Sequence, residues 1–174
     1  MLSKQHLFFN IAMILFPWLS VFFLGERNIK RFFPAALITI IFEMMNAKVG
    51  QKRKWWVFYD KQKSFIRNEL PFSLGPFLPG SMWILKFTYG NLKNFLLLNA
   101  IVDSFFAFIL TKFLEKAKIA RLGRLNEFQF FLYLFYKVFL LYGAQSLVEK
   151  KANFSEKDPE MKYNDKALEE APLL

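Results

Sequence analysis

Residues Asn94 to Leu114 read NFLLLNAIVDSFFAFILTKFL. Between Phe95 and Leu110 the only polar side chains are Asn99, Asp103 and Ser104. A helix needs ~20 mostly apolar residues to cross a bilayer, and this run supplies them. On a helical wheel, Asn99, Ala100, Asp103, Ser104, Ala107 and Thr111 share about 140° of arc. The opposite side is mainly Phe95, Leu98, Ile101, Val102, Phe105, Phe106, Phe108 and Ile109. The small and polar face is expected to meet other helices, and the bulky face to meet lipid.

Four other stretches repeat the theme. Leu7–Leu24 carries no charge. A cleavable signal peptide is its rival reading, because Lys4 and His6 precede it. The run exceeds a usual signal core, and GERN follows where a cleavage site should stand, so a retained helix is expected. Phe32–Val49 is the second span, with Pro34 in its first turn. Phe128–Leu147 is the last. Leu70–Tyr89 has the right length, but Gly75, Pro76, Pro79 and Gly80 interrupt its first half. The plainest reading is an extended entry followed by a short helix from about Pro79; a full span is expected, with a re-entrant or half-inserted element and a surface segment as the alternatives.

The expected fold is therefore an all-α integral membrane protein. It is a bundle of about five transmembrane helices over residues 1–148 (spans near 7–24, 32–49, 70–89, 94–114 and 128–147). Residues 149–174 hold seven acids and five bases and read as a mobile charged tail. Composition agrees with this reading: 55% of residues are apolar, 24 are Phe, and the charges fall between the apolar blocks. The chain has no cysteine and one histidine, which excludes disulfides and thiolate or histidine-cluster metal sites.

The net charge of +10 follows the flanks of apolar blocks, which favours anionic lipid head groups over nucleic acid as the partner. Gln51–Glu69 concentrates this pattern. Lys52, Arg53 and Lys54 adjoin Trp55, Trp56 and Tyr59, residue types that settle at the membrane interface. With five spans, the N-terminus and the two long loops share thirteen basic residues against ten on the other side. That orients the N-terminus inward. A four-span version keeps the N-terminus inside but brings the tail inside too.

Three charged residues lie well inside the spans, away from their ends: Glu43, Asp103 and Lys137. On the second span Ala36, Thr39, Glu43, Asn46 and Gly50 recur at spacings of 3 and 4, a narrow small-and-polar seam joined by Ala47. On the last span Gln129, Tyr133 and Lys137 follow at i, i+4, i+8. Asp103 and Lys137 each lie near the middle of their span, so Asp103 is expected to be the partner of Lys137, with Glu43 next in line. A charge at the bilayer centre costs ~2.5–3.5 kcal/mol on insertion scales, so these groups should meet one another. Two acids and one base leave one negative charge for a proton, a cation or water. The expected interior cluster is Glu43, Asn46, Asn99, Asp103, Ser104, Tyr133 and Lys137.

No HExxH, GxGxxG, Walker or GxSxG pattern is present, so nothing specific points to an enzyme, and no cofactor or metal is expected. The order of features is distinctive: a span ending near GER, the seam FEMMN, a basic aromatic loop, PFSLGPFLPG, then KFTYGNLKNFLLLNAIVDSFFAF. It resembles a family of small multi-span membrane proteins of spore-forming Gram-positive bacteria, a family without an assigned activity. The resemblance implies a bacterial plasma membrane. Two functions are carried forward. The preferred one is a structural or accessory role through helix packing, with other membrane proteins or with itself. The alternative is a proton- or cation-coupled transport or channel subunit that uses Glu43, Asp103 and Lys137.

Overall fold

Five helices and one small sheet make up the computed structural model, which describes residues 4–59 and 68–157, with side chains over 7–59 and 68–153. Helix α1 is Lys4–Val21 and α2 is Glu26–Arg53. Helix α3 covers 70–88 and joins Leu70–Phe72, a π-helical turn at Ser73–Phe77, and Leu78–Thr88. Helix α4, Leu92–Lys116, has a second π-helical stretch at Phe105–Leu110. Helix α5 is Glu127–Lys157. Strands β1 (Trp56–Phe58) and β2 (Ala120–Leu122) pair antiparallel, with Trp56 opposite Leu122 and Phe58 opposite Ala120.

Helices α2, α4 and α5 are long and apolar enough to cross a membrane. The segment from Leu70, expected to be broken, is helical throughout. Its prolines are absorbed by widening the ladder rather than by ending it. Pro76 and Pro79 cannot donate to the carbonyls one turn back, and the π-helical turn spanning Gly75 and Pro76 takes up that loss. Helix α2 starts six residues before the expected span. Glu26 suits its first turn, and Lys52 and Arg53 suit its last. Pro34 is thus interior rather than in the first turn. Likewise α5 runs on through Lys157, so the expected tail does not begin at Glu149. Residues 158–174 of that tail, and Lys61, Lys63 and Arg67 of the basic loop, lie outside the described residues, as do the side chains of Lys4 and His6.

Side-chain contacts fix the helix directions. Helices α2 and α5 are antiparallel: Arg31 meets Glu149 at one end and Glu43 meets Lys137 further along. Phe32 touches Tyr89, and Trp56 touches Glu69, so α2 and α3 are antiparallel too. Phe95 against Tyr142 and Phe108 against Phe131 give the same relation for α4 and α5. Helices α1 and α3 run parallel: Phe9 packs on Phe72, Trp83 donates to Ser20 at 3.0 Å, and Lys86 donates to the Phe23 and Leu24 carbonyls. Odd and even helices therefore point in opposite directions.

The two ends differ. Leu24, Phe32, Ala35, Ala36, Met82, Leu85, Phe95 and Leu141 fill a dry core toward the end that holds the short turns. Toward the other end the bundle is hollow and the sheet closes over it. Phe95, expected to face lipid, is fully buried in that core. It sits one turn before Asn99, on the same stripe, and its ring packs on Tyr142 at 5.0 Å. Large side chains such as Phe8, Phe16, Phe22, Phe23 and Leu97 are exposed on the outside.

Helix α1 docks on α3 at Gly75, where an added Cβ would collide with the Met13 carbonyl. Gly75→Ala should lower stability by about 1–3 kcal/mol, as overpacking of a close contact does. Gly80, where nothing lies within reach of an added Cβ, is the control. Denaturation of both variants in detergent checks this, and equal stability would show that α1 does not seat there.

Candidate interior polar site and its cavities

The inward seam of α2 consists of Ala36, Thr39, Glu43, Ala47 and Gly50, all buried. Thr39 returns its hydroxyl to the Ala35 carbonyl at 2.9 Å, so the seam spends little on unsatisfied groups. Glu43 alone reaches across to α5. Lys137 Nζ donates to Glu43 Oε2 at 2.5 Å. Tyr133 Oη donates to the same carboxylate at 3.2 and 3.3 Å. The ammonium also lies 4.1 Å from the Tyr133 ring centroid and 5.6 Å from that of Phe77. Glu43 and Lys137 are both 7% exposed. Their spacing explains the pairing: Tyr133 and Lys137 are one turn apart, so both point at one residue of the facing helix.

This corrects the expected Asp103–Lys137 pair. Matched depth was a sound guide to level but not to azimuth, and α2 rather than α4 presents its carboxylate to Lys137. Asp103 is 8% exposed, and its Oδ2 has no hydrogen-bond partner among the described residues. It lines a cavity with about 80 Å³ of room for water, together with Glu43, Asn99, Ser81, Thr39 and Lys137. Asn99 donates to the Phe95 carbonyl at 2.7 Å, which leaves its own carbonyl oxygen able to accept. The inner chamber therefore holds two carboxylates, one ammonium and several neutral oxygens.

A second, outer cavity, also with about 80 Å³ of room for water, lies toward the sheet. Glu43, Phe77, Phe106 and Leu134 line both, so the two voids share a wall. The π-helical turns of α3 and α4 face each other here, with Phe77 and Phe106 stacked at 5.3 Å. A π turn widens the helix and redirects its side chains, and such turns recur at functional sites. The outer cavity also contains Glu69, whose Oε1 accepts from Trp56 Nε1 at 2.7 Å. Burial pushes the Glu69 carboxyl up to about 7, against an opposing effect of the Trp56 hydrogen bond.

Not every expected residue joins this cluster. Asn46 is half-buried, bonds to the Phe42 carbonyl, and lines neither cavity; nor does Ser104. Gln129 instead forms a reciprocal cap with Asn126 at the start of α5. Lys52, Arg53, Lys54 and Tyr59 are exposed, as an interfacial loop requires. Trp55 and Trp56 are different: half-buried, they pack on Tyr133 at 5.5 and 5.4 Å. They fold back over Gly50, where an added Cβ would strike the Trp56 ring. Glu69 and Gln145 were not singled out from sequence. Gln145 is fully buried and donates to Glu149 and to the Arg31 carbonyl, beside the Arg31–Glu149 pair.

No protein-family model, curated protein or solved structure matches this chain. No group of metal-binding side chains occurs among the described residues.

Two predictions follow from the geometry. Glu43→Gln and Lys137→Met should each cost about 3–5 kcal/mol, because each strands a buried charge, while the double variant should recover most of that. Asp103→Asn should cost less than either in the same denaturation assay, because it removes a through-space attraction to Lys137 and no hydrogen bond among the described residues. The second concerns pH. Glu69 holds its proton longer in the folded chain, near 7 against an ordinary 4.5. The folded state thus binds the extra proton between those values, and stability falls as pH rises through that window. Glu69→Gln should flatten the melting temperature between pH 5 and 8 and raise it at pH 8. An unchanged slope would place the titrating group elsewhere.

Proposed function

We propose that this chain is a five-span plasma-membrane protein that binds a proton or small cation in its inner chamber, with Asp103 as the receiving group. Several features support a membrane setting. Three helices are long and apolar enough to cross, and the outer faces carry exposed Phe and Leu. A soluble monomer rarely exposes so much contiguous apolar surface. Opposite directions of α2 and α5 suit five crossings rather than four, since four would run them parallel. The sheet end carries Lys52, Arg53, Lys54, Lys112, Lys116, Arg121 and Arg124, which favours that end as cytoplasmic.

The observation that carries the cation reading is the carboxylate left without a hydrogen bond. Glu43 takes the hydrogen bonds of Lys137 and Tyr133, while Asp103 feels Lys137 only through space and its Oδ2 bonds to nothing among the described residues. Two buried carboxylates thus share one ammonium, and the charge left over takes up a proton or a cation. Its setting, beside Asn99 and Ser81 in a cavity, offers further oxygen ligands. Packing remains a second reading with its own support. The Glu43–Lys137–Tyr133 set and the Arg31–Glu149–Gln145 set both clamp α2 to α5, as a structural subunit of a larger membrane complex would need.

Reconstituted vesicles discriminate the two. An imposed H⁺, Na⁺ or K⁺ gradient should dissipate faster with the protein than without it. Asp103→Asn should abolish the difference, and Asp103→Glu should keep part of it. Equal rates with and without wild-type protein would leave only the packing role. Reporters fused ahead of Lys4 and after Leu174 should report opposite sides of the membrane.

A further inference from the structure

The outer cavity has a chemistry of its own, separate from the Asp103 chamber. Its walls are ring faces and edges from four elements: Trp56 of β1, Phe72 and Phe77 of α3, Phe106 of α4, and Phe130 and Tyr133 of α5. Among them stand two carboxylates. Glu43 is paired with Lys137, and its charge still adds to the proton affinity of Glu69. Glu69 is 6% exposed and, among the described residues, has the Trp56 N–H but no ion-pair partner. Other groups facing it are neutral or distant in effect: the Tyr133 hydroxyl is committed to Glu43, Thr111 is uncharged, and Arg121 of β2 is exposed at the rim, where water screens it.

We infer that this cavity binds a monovalent organic cation bearing apolar groups, with Glu69 as its counter-ion and the aromatic rings as its walls. Aromatic faces attract cations through their quadrupole, and the attraction grows when the site is desolvated. An anion would meet two carboxylates. A neutral apolar molecule would leave Glu69 buried beside it with no counter-charge among the described residues. A hydrated metal ion would find rings where it needs oxygens.

The binding step balances in charge. The Glu69 carboxyl, raised to about 7 by burial, holds a proton in part at neutral pH. A cation entering beside it lowers that affinity, so the proton leaves to solvent as the cation arrives. One charge enters and one departs. This goes beyond the function proposed above, since the cation occupies the outer cavity and Asp103 takes no part.

The test uses the full chain in nanodiscs of zwitterionic lipid, with empty nanodiscs as the blank for lipid partitioning. The probe is tetramethylammonium, and tert-butanol supplies nearly the same shape without charge. Tetramethylammonium should bind saturably and release protons near pH 6. Tert-butanol should do neither. Glu69→Gln should weaken binding of the cation by about tenfold or more and abolish proton release, with Glu69→Asp keeping part of each. Glu115→Gln, which removes an exposed carboxylate of α4 that lines neither cavity, should leave both unchanged. Binding of tert-butanol as tight as that of the cation, or binding indifferent to Glu69→Gln, would overturn the inference. That failure is distinguishable from failure of the Asp103 reading: the first appears in equilibrium binding at Glu69, the second in ion movement at Asp103.

Discussion

The contact between Glu43 and Lys137 sets the relation of α2 to α5, and the rest of the bundle is arranged around it. Both groups are deeply buried, so each depends on the other. Removing two charges from water costs several kcal/mol per ion, and only close geometry with extra hydrogen bonds offsets it. Tyr133 supplies the extra bonds and shields the ammonium with its ring. A register slip of one helical turn would separate all three. The pair is therefore better understood as a specification of register than as a source of net stability.

That specification has a geometric consequence. Holding α2 on α5 at Glu43, while Phe32 and Phe95 fill the turn end, leaves the sheet end short of side-chain volume. The π-helical turns of α3 and α4 flank the gap, and their Phe77 and Phe106 rings stack on each other there. Two small strands then cover the opening, with Trp55 and Trp56 leaning on Tyr133. One half of the bundle is a packed core and the other half a vestibule. Polar groups collect where the packing is incomplete, as the cost of burying them there is reduced by water or a ligand.

Asymmetry of charge follows the same division. The Arg31–Glu149–Gln145 clamp closes the turn end with groups that largely satisfy each other. At the hollow end the interior acids outnumber the one interior base, while the surface is basic. An acidic interior behind a basic rim is an arrangement suited to discriminating among cations rather than to attracting anions inward.

The sequence by itself determined the helical class and the long apolar runs, because hydrophobic length and period are local properties. It also singled out Glu43, Asp103, Tyr133 and Lys137, since a polar residue in an apolar run is conspicuous wherever it folds. Which of them meet was a tertiary decision. Depth along an axis can be counted from residue numbers, but rotation of one helix against another cannot, so Asp103 was matched to Lys137 when Glu43 holds that place. Phe95 was misassigned to the lipid face although it shares a stripe with Asn99, and only the packing against Tyr142 makes that visible. The prolines hinted at an irregular α3, yet a π turn rather than a break resulted, because neighbouring helices hold it in place. Nothing local marks the π stretch of Phe105–Leu110 or the pairing of Trp56–Phe58 with the distant Ala120–Leu122. Glu69 and Gln145 looked like ordinary end-of-segment polar residues, and they became interior only when Trp56 and Arg31 folded against them.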